Sequence, residues 1–176
     1  LFLNFDIKAQ PDEVTCGPTC LHALYKYYHD DIGLKEVIQE VKSLKSGGTL
    51  AVMLGNHALQ RGYKAHLYTY NLKLLVPSRA YIKFLEAGGR IYHRELNAEL
   101  IKGYLKKSIP ILTGLSATYL YGTPREMPDS GKFDSIKGEP VGHFVIINGY
   151  DEATQTVYLA DPMNPNPLKS QYYSVN

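Results

Sequence analysis

Three side chains that can act together on a carbonyl group lie far apart along this chain. Cys16 begins the string Cys-Gly-Pro-Thr, His143 stands in Gly-His-Phe-Val-Ile, and Asp161 stands in Ala-Asp-Pro. A thiol is a strong nucleophile only as the thiolate, so it requires a group that lowers its pKa or takes its proton. His143 can take that proton and later protonate a leaving group, while Asp161 can accept the other ring N–H and stabilise the imidazolium. Together they predict nucleophilic catalysis by a thiol.

The segment around Cys16 predicts how the thiol is activated and where negative charge is held. Pro18 fits the first turn of a helix, where its missing N–H is not needed, and apolar residues follow it at helical spacing. Unpaired backbone N–H groups and the positive end of the helix dipole at such a start favour an anion. We expect the side-chain amide of Gln10 beside the backbone N–H of Cys16, where the two form an oxyanion hole.

The elements that must position these side chains begin with a mainly helical first third. Apolar periodicity, caps and glycine stops define its segments. The predicted elements are a strand over residues 1–7, a helix from Pro18, a helix over 34–44, a loop over 46–48, a helix from a Thr49 cap to Gln60, and a strand over 63–70.

The rest of the chain is richer in strands. Its predicted elements are a helix over 81–87, a strand over 90–95, a helix from an Asn97 cap to Lys107, strands over 109–115 and 118–121, a loop over 123–140, and antiparallel strands over 143–150, 156–160 and 171–175. Helices first and strands later indicate an α+β fold, with N-terminal helices packed on a C-terminal antiparallel sheet, and not alternating βαβ units.

The strand pattern predicts how two of the chemical groups meet. His143 opens one strand, and Asp161 closes its hairpin partner, so both are expected at the same end of the sheet. The loop over 123–140 directly precedes His143. We therefore expect this loop to border a substrate groove and to help set specificity.

Composition limits the remaining possibilities. The 176 residues fit a single domain over 1–176, which we expect to be a piece of a longer chain because it opens without methionine. A net charge of +2 is too small to indicate nucleic-acid binding, and no apolar run reaches the roughly 20 residues of a membrane span. Two cysteines four apart do not form a disulfide framework, so reduced thiols and a cytoplasmic location are expected. The chemistry requires no metal and no organic cofactor.

The four residues and their order are similar to those of a known family. Gln10 followed by Cys16-Gly-Pro-Thr, then Gly-His-Phe-Val-Ile and later Ala-Asp-Pro, resembles the C39-like cysteine peptidases of the papain-like superfamily. The resemblance runs from Gln10 to Pro162. It implies a papain-like α+β fold, a peptide or amide substrate, Cys16 on the leading helix, His143 and Asp161 on the sheet, and Gln10 as the oxyanion residue.

The chain also departs from the best-known members, the leader-peptidase domains of bacteriocin-exporting transporters. Thr15 stands where those domains usually carry an acidic residue, and no ATPase segment follows. Residues 34–62 and the tyrosine-rich stretch to Tyr70 look like a bacterial C39-like subgroup instead. Members of the family have a longer connection near Pro77 and Ser78, so we expect residues to be missing there. These departures argue against leader-peptide processing.

Other interpretations remain open at this stage. Taken singly, Cys16, His143, Asp161 and Gln10 each have an ordinary structural explanation, and only the set is specific. Cys20 is expected in the core, and a metal site using Cys16, Cys20 and His22 matches no usual zinc spacing. An acyl-transferase or transpeptidase would use the same triad, and a non-catalytic peptide-binding module would retain the fold. The sequence leaves the substrate and the oligomeric state undecided.

Overall fold

The structure is a computed structural model that describes residues 1–45, 47–70, 79–127 and 130–176. Its elements, in chain order, are α1 (Cys16–Tyr27), α2 (Leu34–Glu40), α3 (Ala51–Gln60), β1 (His66–Thr69), α4 (Arg79–Glu86), β2 (Arg90–His93), α5 (Ala98–Leu105), β3 (Ile111–Ser116), α6 (Ala117–Tyr121), β4 (Gly142–Asp151), β5 (Thr156–Ala160) and β6 (Tyr172–Val175). The predicted α+β class with an antiparallel sheet near the C-terminus is confirmed.

The sheet that carries the C-terminal half has the order β3-β4-β5-β6, with every pair antiparallel. β4 and β5 form the predicted hairpin, in which Asp151 pairs with Thr156 and Ile146 pairs with Ala160. A bulge between Ile147 and Gly149 interrupts their register. Because β4 is central and almost wholly buried, it fixes the positions of the elements on both faces.

Alternate residues of β4 supply two different cores, as the period of a strand requires. On one face, Ile146 and Phe144 pack with Cys20 and Ala23 of α1. On the other face, residues of β4 pack with Ile101 and Leu105 of α5. The sheet is thus covered by one helix from each half of the chain, and α1 is held against the strand on which His143 lies.

A second cluster joins α1 to the other N-terminal helices. Tyr25 and Leu21 of α1 pack with Val37 of α2 and Leu54 of α3. The hydroxyl of Tyr25 lies 2.7 Å from Nδ1 of the buried His57. These contacts hold α1 against α2 and α3.

The middle of the chain contains an arrangement that the sequence reasoning did not predict. β1 and β2 form a separate two-stranded sheet in which they run parallel, with His66 opposite Arg90 and Thr69 opposite His93. Since α4 lies between them in the chain, this is one local βαβ connection within the α+β fold. A single connection of this kind does not make the fold one of alternating βαβ units, so the predicted α+β class stands.

The predicted strand over 118–121 is wrong, because these residues form the short helix α6. Ser116 caps the helix by accepting a hydrogen bond from the backbone N–H of Tyr119, and Gly122 ends it at a φ of 64°. The hydroxyl of Thr118 also accepts the backbone N–H of Val141. The tertiary contact and the two caps override the β-propensity of threonine and tyrosine.

Three N-terminal predictions also need correction. Residues 1–7 form no regular strand, and only Phe2 bridges to Gly149 at the bulge. α2 ends at Glu40 because Val41 turns to an extended conformation and is buried. Thr49 does not cap α3, whose N-cap is Leu50, without a side-chain hydrogen bond.

Some predicted features lie partly or wholly outside the residues that the structure describes. Ser46 of the predicted loop, the connection at Pro77 and Ser78, and residues 128–129 of the loop over 123–140 lie outside the described residues. The described part of that loop contains isolated bridges from Glu126 to Phe133 and to Glu139. Among the described residues, no helix has the length and apolar character of a membrane span.

Candidate active site

Cys16 is the first residue of α1, as the sequence predicts. Its N-cap, Thr15, makes no side-chain capping bond to the helix, and the Thr15 hydroxyl instead contacts the backbone of Asp12. Gly17 follows at a tight approach, since a Cβ there would lie 3.2 Å from side-chain atoms of Leu54 and Phe144. The small residue lets the start of the helix pack closely on α3 and β4.

The surroundings of the Cys16 thiol favour its ionised form. Burial raises the pKa of the thiol, but the hydrogen bond with His143 and the nearby imidazolium charge act in the opposite direction. Backbone N–H groups of Phe144 and Gly17 also lower this pKa by hydrogen bonding. The net pKa of Cys16 lies below its ordinary value of 9.0.

His143 lies between the thiol and a buried carboxylate. Its Nε2 is 2.8 Å from Oδ1 of Asp161, and the Cys16 thiol acts on the same ring. Burial lowers the pKa of His143, but the hydrogen bonds and charges of Asp161 and Cys16 outweigh it and raise the pKa to about 9. The structure therefore places three of the four predicted residues together, with His143 hydrogen-bonded to Asp161 and close enough to the Cys16 thiol for each to shift the pKa of the other.

Asp161 is fully buried directly after β5, and each of its carboxylate oxygens accepts two hydrogen bonds. Oδ1 accepts from His143 and from the backbone N–H of Met163, at 2.8 Å each. Oδ2 accepts from the hydroxyls of Tyr121, at 2.6 Å, and of Tyr173. Burial raises the pKa of Asp161, but these hydrogen bonds together hold it below its ordinary value.

The two tyrosines are site residues that sequence reasoning missed. Tyr121 ends α6 and Tyr173 lies on β6. Neither residue belongs to a short sequence motif that includes Asp161. The ring of Tyr121 also lies 6.0 Å from the ring of His143. The available signals were weak: the Ser116 and Gly122 caps that form α6, and the register that pairs Ala160 with Tyr172.

Gln10 is held near this group by the backbone. Its N–H donates to the carbonyl of Pro162 at 2.8 Å, next to Asp161. Its Nε2 donates to the carbonyl of Asp12 at 2.7 Å, and its buried Oε1 has no hydrogen-bond partner among the described residues. The hydrogen bond to Asp12 uses one of the two hydrogens that Nε2 carries. No hydrogen bond joins Gln10 directly to Cys16 in the described structure.

Cys20 belongs to the core, as predicted, and not to the reactive group. Its side chain is fully buried, and its Sγ lies 3.3 Å from the carbonyl of Phe144. Burial first, and then the charges of Cys16 and Asp161, raise the pKa of Cys20 well above its ordinary value. Both cysteines are free thiols, and the described residues contain no cluster of three or more metal-ligating side chains.

The chain matches a known protein family. The model of the Peptidase_C39 like family matches residues 2–175, nearly the whole chain. The chain belongs to this family. The predicted C39-like membership is thereby confirmed, and it supports a peptidase-type enzyme at the level of the family. No curated protein and no solved structure matches the chain.

Proposed function

We propose that this member of the Peptidase_C39 like family is a cysteine peptidase, which hydrolyses a peptide bond of its substrate with Cys16 as the nucleophile. The observation that carries the proposal is the grouping of the Cys16 thiol with His143, whose ring is hydrogen-bonded to the buried Asp161 carboxylate. A lowered thiol pKa beside a raised imidazole pKa favours the thiolate–imidazolium pair, which is the reactive form of such a nucleophile.

The proposed reaction uses each group in turn. The thiolate of Cys16 attacks the substrate carbonyl carbon, and the carbonyl electrons move to oxygen. Gln10 Nε2–H and the backbone N–H of Cys16 stabilise that oxyanion. The imidazolium of His143 gives its proton to the departing amine as the C–N bond breaks, leaving a thioester. His143 then takes a proton from water, the hydroxide attacks the thioester, and the thiolate leaves.

The fold supports a papain-like arrangement within a single domain. A thiol at the start of a helix packed against an antiparallel sheet, with the histidine on that sheet, is the arrangement that the family resemblance implies. The loop over 123–140 leads through Val141 to β4, and Val141 is bonded to α6. We infer that this loop borders the substrate groove. A bacterial source and a cytoplasmic location stay predictions from sequence.

The proposal is tested by digesting an unbiased peptide library with the wild-type protein and with Cys16→Ala. Cleavage by the wild type and its loss in Cys16→Ala are expected, whereas cleavage by both proteins would assign the activity to a contaminant. Cys20→Ala is the matched control, since its thiol is buried and its removal leaves Cys16, His143 and Asp161 unchanged. Adding a primary amine separates the acyl-transferase, which yields amide products, from the hydrolase.

The thiol itself distinguishes catalysis from simple peptide binding. Iodoacetamide should alkylate Cys16 well below pH 7, and His143→Ala should slow that reaction, because the ion pair is lost. A Cys16 of ordinary thiol reactivity, with and without His143, would exclude the catalytic proposal and leave a peptide-binding module.

A further inference from the structure

The Asp161 carboxylate is enclosed by titratable groups from several elements. They are Cys20 from α1, His143 from β4, Tyr121 from α6 and Tyr173 from β6. Only His143 among them can carry a positive charge. A buried carboxylate with one cationic neighbour is stable only if its remaining lone pairs are also satisfied.

We propose that Tyr121 and Tyr173 are positioning residues that hold the Asp161 carboxylate ionised and in a fixed orientation. This role rests on the proposed function of Cys16 and deepens it. Neither tyrosine touches the reacting atoms in the proposed reaction, so both act through the carboxylate.

The division of donors between the two oxygens fixes the orientation. Oδ2 receives both hydroxyls, which leaves Oδ1 to the imidazole and to the N–H of Met163. The hydroxyls come from α6 and β6, two elements that approach Asp161 from different parts of the chain. Rotation of the carboxylate would break hydrogen bonds on both oxygens at once.

The tyrosines remain donors throughout the working range of a peptidase. Burial, and then the hydrogen bond with Asp161, raise the pKa of Tyr121 and that of Tyr173 far above the ordinary value of 10.0. Each hydroxyl therefore keeps its proton and directs it at the carboxylate. Hydrogen bonds to a charged acceptor are the stronger class, so their loss must make Asp161 more basic.

An ionised Asp161 carboxylate stabilises the protonated form of His143. If Asp161 became basic enough to be protonated, the imidazolium would lose its counter-charge and the Cys16 thiolate would lose its partner. The two hydroxyls thus extend the acid end of the pH range over which the thiolate–imidazolium pair exists.

The direct test measures the pKa of Asp161 by carbon NMR of its labelled carboxyl group in the full chain. Tyr121→Phe and Tyr173→Phe should each raise that pKa by about one to two pH units, because each removes one charge-assisted hydrogen bond and keeps the ring. Tyr119→Phe, which alters an 80% exposed tyrosine of the same helix, should leave the pKa unchanged. An Asp161 pKa that is equal in wild type and in both variants overturns the proposal.

A second measurement connects the carboxylate with the thiol and separates a positioning role from general loosening. The alkylation rate of Cys16 falls at low pH, and the pH at which it falls (the acid limb of the rate profile) should be higher in both variants. In an Asp161→Asn background, which has no carboxylate to hold ionised, the same substitutions should no longer move that limb. A shift of equal size in both backgrounds would show a merely structural role and overturn the proposal.

The outcomes also separate this inference from the proposed function. If Cys16 shows ordinary reactivity in the wild type, the peptidase proposal fails, while the Asp161 titration still tests the tyrosines. Should the phenylalanine variants fail to fold, the wild type decides: slowly exchanging phenolic protons assigned to Tyr121 and Tyr173 are expected in its proton spectrum, and their absence overturns the assignment.

Discussion

His143 determines the upper pH limit of the proposed chemistry. It must be an imidazolium to protonate the leaving amine, and its pKa of about 9 reflects the combined influence of Asp161 and Cys16 against burial. The thiolate, by contrast, persists as the pH rises. The two halves of the ion pair therefore have different pH dependences, and this difference is measurable.

We predict that peptide hydrolysis and thiol alkylation separate at alkaline pH. The value of kcat/KM should fall as the pH rises through about 9, because His143 loses the proton that it must donate. Alkylation of Cys16 should not fall over the same range, since it requires only the thiolate. Parallel rate measurements from pH 5 to pH 10.5 check this, and hydrolysis that keeps rising beyond pH 9.5 would contradict it.

At the scale of elements, α3 and α4 pack through one aromatic ring between two glycines. Phe84 of α4 is 1% exposed. A Cβ added at Gly55 of α3 would lie 2.6 Å from its Cε2, and one added at Gly89 would lie 2.5 Å from its Cε1. The ring therefore has no space to move away from either side.

We predict that Gly55→Ala destabilises the protein although alanine favours a helix. Overpacking against Phe84 should lower the free energy of unfolding by about 1–3 kcal/mol. The matched control is Gly103→Ala in α5, where an added Cβ meets no atom of the described residues within 4 Å. It should raise stability by up to about 1 kcal/mol through helix propensity. Urea unfolding measures both, and equal stability changes in the two variants would refute the packing argument.

Elements with local signals were predictable, and elements that depend on distant contacts were not. Asn97 caps α5 as expected, with its side chain accepting the N–H of Leu100, because this motif lies within four residues. α6 was not predicted, because its threonine and tyrosines favour strands and its contact with Val141 is distant in sequence. The parallel pairing of β1 and β2 likewise has no local signal.

The same distinction applies to the candidate site. Cys16, His143 and Asp161 could be proposed from sequence because a nucleophile, a base and an orienting acid are a recognisable chemical set. Tyr121 and Tyr173 belong to no such set, and their hydroxyls meet Asp161 only through the tertiary fold.

At the scale of the whole molecule, a buried histidine links stability to pH. His22 of α1 is 3% exposed, and no residue that the structure describes forms a hydrogen bond with its Nδ1. Burial, and then the charges of Lys8 and Lys26, lower the pKa of His22 below its ordinary value of 6.5. A proton on His22 is therefore bound more tightly by the unfolded chain than by the folded one.

We predict that acidification destabilises the wild type more than a His22→Gln variant. Because the folded pKa is lowered, the stabilising contribution is fully present above pH 6.5 and is lost as the pH falls through the folded pKa. Within that window the group contributes a slope of up to about 1.4 kcal/mol per pH unit. Urea unfolding from pH 7.5 to 5.0 measures it, and parallel curves for the two proteins would contradict the prediction.

The distance along the chain between Cys16 and its partners has a consequence for biosynthesis. The proposed nucleophile belongs to α1, whereas the Tyr173 hydroxyl that contacts Asp161 comes from β6, much later in the chain. A ribosome therefore makes the thiol long before it makes the groups that would ionise it. Since these contacts require the completed sheet, the nascent chain carries an unactivated cysteine until translation of the sheet is finished.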